Sequence, residues 1–170
     1  MFSKIIPVLG LLAVSACGAS QVSTLPVSAR PSTEIRTIAL DPSGGMVADA
    51  VGVQLATQGY NVVDTARVSQ MMIRANMNEI QISQPQGLRA MAGQGIDALL
   101  QVQSSGAYDG LPEAASARVT DTRNGSLIAG ATWQNGWGGQ AGSMADRTMR
   151  KGLNEAANDI AKSLSQQLSR

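Results

Sequence analysis

The chain has no histidine and a single cysteine, Cys17, so chemistry would fall to carboxylates, amines and hydroxyls. Without imidazole there is no Ser-His-Asp or Cys-His arrangement and no histidine-based zinc motif. One cysteine makes neither an intramolecular disulfide nor a cysteine-rich metal site. Paired carboxylates are the main remaining route to acid-base work. Asp41, Asp64, Asp97, Asp109 and Asp121 fall singly along the chain. Capping and turn roles account for Asp41, Asp64 and Asp121, so a carboxylate-based hydrolase or a glycan-binding module would need two of the five to converge in a cleft. Met46, Met71, Met72, Met77 and Met91 offer soft thioethers of the kind copper takes. Their helical spacing fits gap-filling core residues in a chain poor in aromatics. The loop Gly136-Trp137-Gly138-Gly139-Gln140-Ala141-Gly142 has neither the Walker spacing nor a GxGxxG opening, which argues against a phosphate cradle. These residues assign no catalytic group, no metal, no cofactor and no small-molecule substrate. The protein reads as a non-enzyme.

The remaining candidates are aromatic. Trp133 and Trp137 are the only tryptophans, and Tyr60 and Tyr108 the only tyrosines. One tryptophan fits beneath a sheet edge. The other is either a second core residue or, if exposed on the glycine-rich loop, a contact anchor, because tryptophan is enriched at interface hot spots. Trp133, Trp137 and Tyr108 are therefore the candidate partner-binding residues. Bulk charge adds little: Lys and Arg total 13 against 12 Asp and Glu, so nothing points to nucleic acid. At 170 residues and 44% hydrophobic, the chain suits one domain with one core of ordinary size.

The N-terminus reads as an address. Lys4 precedes an apolar run from Ile5 to Val14, followed by small residues up to Cys17. That run is roughly ten residues, whereas a membrane-spanning helix needs about 20. Val14-Ser15-Ala16-Cys17 resembles the lipobox of bacterial lipoproteins, in which a signal peptidase cuts ahead of a cysteine whose thiol carries diacylglycerol. The resemblance implies a signal peptide over 1–16 and acyl chains on Cys17 that hold the protein to a membrane. Each buried methylene contributes about 0.8 kcal/mol, so two or three chains anchor where one would only visit. Gly18 follows the cysteine where Asp would retain such a protein in the inner membrane, which implies sorting to the outer membrane of a Gram-negative type cell. Removing Lys4 with the leader leaves equal numbers of basic and acidic side chains. The stretch to Thr33 is small and polar, with Pro26 and Pro31, and reads as a flexible tether over 17–33.

A compact domain over 34–170 must position whatever acts. Ile35 to Leu40 reads as a strand stopped by Asp41-Pro42-Ser43-Gly44-Gly45. Val47, Ala50, Val51 and Leu55 predict an amphipathic helix from Met46 to Gly59, and Tyr60 to Val63 a second strand. Asp64 is placed to cap a helix carrying Val68, Met71, Met72 and Ala75. Ser83 and Pro85 open a shorter helix with Leu88, Met91 and Ala92, closed by Gly93 or Gly95. Ile96 to Gln103 returns to strand character. Asn124-Gly125 sits between two alternating runs, Ala115 to Thr122 and Ser126 to Gln134, and predicts a hairpin. A two-residue turn or a bulged loop of three to five residues would both serve, and they give opposite faces. The chain closes on one long helix carrying Met149, Leu153, Ala156, Ile160, Leu164 and Leu168. The order β-α-β-α-α-β-β-β-α predicts an α/β domain in which helices pack on one mixed sheet.

Several of these segments, in this order, resemble the family of cell-envelope lipoproteins that includes the curli-secretion component CsgG and the penicillin-binding-protein activator LpoB. The similarity lies in the opening strand Ile35 to Leu40, in Gly59-Tyr60-Asn61-Val62-Val63-Asp64, in Gly95 to Leu100, and in Ala117-Arg118-Val119-Thr120-Asp121 through Gly125 to Trp133. It implies a lipid-anchored sheet domain on the periplasmic face of the outer membrane, acting by contact with an envelope protein or with itself. Envelope assembly or secretion is the implied setting, and accessory regulation of a peptidoglycan synthase the alternative. The chain lacks the paired alternating strands of roughly ten residues that would build a membrane pore, and its tether is short.

Overall fold

The computed structural model describes residues 18–27, 29, 31, 33–106 and 110–169. The elements are β1 (Gln21–Thr24), β2 (Thr37–Leu40), α1 (Gly45–Thr57), β3 (Asn61–Val63), α2 (Thr65–Arg74), α3 (Glu79–Ile82), α4 (Pro85–Ala92), β4 (Ala98–Gly106), β5 (Pro112–Asp121), β6 (Leu127–Gln134), α5 (Met144–Met149) and α6 (Leu153–Leu168). The six strands form one mixed sheet in the order β1-β6-β5-β4-β2-β3. β2 is parallel to both β3 and β4, whereas β4, β5, β6 and β1 run antiparallel in succession. The predicted architecture of one mixed sheet bearing helices is the one the chain adopts.

Strand alternation sorts the core onto two sheet faces. Ile38, Leu40, Ala98, Leu100, Val102, Ala117 and Val119 meet α1 and α6 through Val51, Leu55, Ile160 and Leu164. Ala39 and Leu99 point the other way and meet Val68, Met72, Ile82, Leu88 and Met91 from α2, α3 and α4. The small residues Ala156, Ala157 and Ala161 are fully buried and let α6 lie close to the sheet. α1 closes as the sequence predicts: Gly59 N–H donates to Ala56 O and Tyr60 N–H to Leu55 O, which satisfies the last carbonyls. Asp64 accepts from Arg67 N–H at 2.7 Å and starts α2. Met72 and Met91 are core residues as expected, but Met46 is 77% exposed on the outer side of α1.

The tether and the closing helix differ from the sequence reading, the short helix α3 is additional to it, and the hairpin takes one of its two alternatives. Part of the expected tether is structured: β1 pairs with β6 from Gln21↔Gln134 to Thr24↔Ala131, and Leu25 N–H donates to Gly130 O at 2.9 Å. Four residues suffice because β6 offers an open edge and Gly130 leaves room for the Leu25 side chain above it. The long closing helix is two helices, so Met149 belongs to α5 and not to the α6 stripe. Asn135 causes the break. Its amide donates to Lys151 O and its carbonyl accepts from Lys151 N–H, which holds the 150–152 segment extended. Glu155 then accepts from Gly152 N–H and begins α6 afresh. Finally, the β5–β6 hairpin turns through a longer loop. Asp121 N–H donates to Ser126 O and Gly125 N–H to Asp121 O, with Gly125 at φ 73° and Asn124 at negative φ. A two-residue type I′ turn needs positive φ at both central residues, so the bulged alternative is the one realised.

Candidate functional site

The described aspartates are spread across the fold and each is engaged. Asp41 is buried and accepts from Ser43 N–H, the Ser43 hydroxyl and the Gln101 amide. Asp121 is fully buried and accepts from Arg123 N–H at 2.8 Å within the hairpin loop. Asp146 is buried and accepts from Gly142 N–H at 3.0 Å. Asp97 ties the start of β2 to the start of β4: one oxygen accepts from the amides of Arg36 and Thr37 at 3.0 and 2.9 Å, and the other meets Arg123 at 2.6 Å. Burial pushes the Asp97 carboxyl up, but the two amides and the guanidinium outweigh it and hold the group below the usual aspartate range. Asp109 lies outside the described residues. Among the described residues, no three His, Cys, Asp or Glu side chains group to hold a metal. No described helix is long and apolar enough to cross a membrane.

The two tryptophans divide. Trp133 is 1% exposed, sits in the main core and donates its indole N–H to Asp159, which also accepts from Lys151. As a contact residue it is therefore corrected: the β6 alternation turns its ring under α6, and it offers no surface. Trp137 is 58% exposed on the loop after β6. Tyr108 and Cys17 lie outside the described residues.

The loop around Trp137 is built from below. The Asn135 side chain makes four bonds, to Pro112 O, Lys151 O, Gly136 N–H and Lys151 N–H, and so fixes the exit of β6. Gly138 lies so close to the Ala145 carbonyl that an added Cβ would stand 2.4 Å from it, so only glycine lets the loop rest on α5. Next to this contact, Met144 is 86% exposed. Gly18 completes the arrangement: its N–H donates to Trp137 O at 3.0 Å and its O accepts from Trp137 N–H at 2.8 Å. The residue that follows Cys17 in the chain is thus paired, backbone to backbone, with the exposed tryptophan.

A second feature lies on the sheet face opposite α6. Gln21 and Ser23 of β1, Thr132 and Gln134 of β6, Ser116 of β5 and Gln103 of β4 line a concavity of about 470 Å³. Its polar side chains are uncharged amides and hydroxyls. The sequence places β1 within the tether and so gives no direct sign of this surface; the apolar Val22 between Gln21 and Ser23 is the short signal available.

No family profile and no curated protein matches the sequence. Solved structures do. A PelC dodecamer from Paraburkholderia phytofirmans, solved as a point variant, is 15% identical over 89% of this chain and 99% of its own, with a TM-score of 0.50. Lipoprotein GNA1162 from Neisseria meningitidis is 22% identical over 75% of this chain and 98% of its own, at 0.46. The LpoB C-terminal domain from Salmonella enterica is 15% identical over 59% and 83%, at 0.44. At such identities the match to PelC speaks for the fold alone: a sheet-and-helix domain of the same build, spanning nearly all of this chain.

Proposed function

We propose that this chain is a non-catalytic outer-membrane lipoprotein, anchored through acyl chains on Cys17 and facing the periplasm, that acts in envelope assembly or secretion by contact with protein. The carrying observation is the pairing of Gly18 with Trp137. It ties the residue next to the anchor to the loop after β6, so the domain is held close to its attachment point instead of swinging on a long arm. Two further facts support the reading. Asp41, Asp64, Asp97 and Asp121 serve backbone caps and ion pairs. A protein of the same fold, PelC, was solved as a dodecamer, which favours self-assembly of this chain.

The anchor is tested by Cys17→Ala, which is expected to abolish both the acyl mass on the N-terminal residue and sedimentation with membranes; unchanged mass and unchanged sedimentation would end the anchor reading. The mode of action is tested by light scattering on the detergent-extracted full chain, alone and with an envelope extract. A ring of many copies is expected. A monomer that co-purifies with one cell-wall synthase would replace assembly by the accessory-regulator reading.

A further inference from the structure

Trp137 and Met144 are large apolar side chains left in the open, although the loop and helix that carry them are well tied down. Gly136 abuts Met149 O and Gly18 O, and Gly138 abuts Ala145, so the loop is pinned between the N-terminal segment and α5. Trp137 and Met144 flank that pinned contact, and neither is needed to fill the core. Arg147 lies three residues beyond Met144, on the same side of α5, and is exposed. Of the neighbouring acids, Asp146 is buried and occupied by the Gly142 amide, and Glu113 is exposed in the same hollow as Trp137. This end of the domain therefore shows an indole, a thioether and a guanidinium, with one carboxylate on the β5 side.

Position then selects the occupant. Gly18 is hydrogen-bonded to Trp137 through both backbone groups, and Cys17 is the residue before it in the chain. Acyl chains on Cys17 would bring bilayer to that spot. Tryptophan suits the boundary between acyl chains and headgroups, because its apolar ring and its N–H each find a fitting neighbour there. An arginine beside it would meet lipid phosphate.

We propose that Trp137 and Met144 form a bilayer-contacting edge that seats the domain against the headgroup layer beside the anchor, with Arg147 on phosphate. The inference rests on the lipid-anchor reading. Seating would fix the domain's orientation, which acyl chains alone do not.

The test uses the full lipidated chain reconstituted in phosphatidylethanolamine and phosphatidylglycerol vesicles, with tryptophan emission as readout. Phospholipid brominated near the headgroup is expected to quench the Trp137 share of the emission and leave that of buried Trp133. Trp137→Phe should remove the quenched component, and Met144→Ser should weaken it. Wild type that floats with vesicles yet keeps Trp137 open to iodide and untouched by bromine overturns the seating while leaving the anchor intact. Shielding from iodide without bromine quenching overturns it too, in favour of a protein contact. Wild type that neither carries acyl mass nor floats overturns the anchor reading and the seating with it.

Discussion

Asp97 shows how a residue that looked like chemistry is spent on structure. Its two oxygens take the Arg36 and Thr37 amides and the Arg123 guanidinium, and Arg123 also donates to the Thr33 hydroxyl. Asp97→Asn keeps the shape but loses the charge, and is expected to cost about 2 kcal/mol, read from urea unfolding at neutral pH. The pH dependence has a definite sign. A carboxyl whose folded pKa is lowered adds stability that is present above its unfolded value of about 4 and is lost as pH falls through the folded value. Acid unfolding of the wild type should carry this step, and the Asn variant should lack it. The exposed pair Glu34–Arg36 also lowers its carboxyl, but solvent on both sides leaves it little to contribute.

At the scale of elements, a single side chain decides whether the C-terminus is one helix or two. The apolar stripe through Met149 and Leu153 permits a continuous helix, and Asn135, distant in sequence, interrupts it by holding both backbone groups of Lys151. Asn135→Ala is expected to destabilise the fold by about 2 kcal/mol, because it strips partners from part-buried backbone groups. Amide hydrogen exchange should speed up first at Gly136 and Lys151. The opposite edge is protected by a different amide: Gln167 of α6 accepts from Gly130 N–H at 3.2 Å and donates to Gly130 O at 2.9 Å, where β1 has ended. Gln167→Leu should leave the Gly130 N–H without this partner, Gly130 O keeping Leu25, and raise association on heating, measured by light scattering, because bare strand-edge groups pair with one another. The strands and helices with clear periodicity were legible in advance, as were the caps at Asp64 and Gly59. β1 was not, since four residues between prolines and small side chains gain their structure only from the edge they pair with.

For the whole molecule, β1 converts what would be a loose arm into the outer strand of the sheet and brings the N-terminal end to the Trp137 loop. Deleting Gln21–Leu25 is expected to expose the β6 edge and free the loop, giving a lower thermal midpoint and higher-order aggregates by sedimentation. The same strand supplies Gln21 and Ser23 to the uncharged sheet concavity, so both surface features of this domain depend on it. Sequence alone determined the class of fold, because alternation with period two and stripes with period 3.6 are local signals that survive without tertiary context. It also determined what chemistry was missing, since histidine and a second cysteine are simply not there. Only the tertiary structure decided which tryptophan is buried, where the closing helix breaks and that Gly18 meets Trp137. Those outcomes depend on contacts between residues 16 to more than a hundred positions apart, and no spacing rule along the chain encodes them.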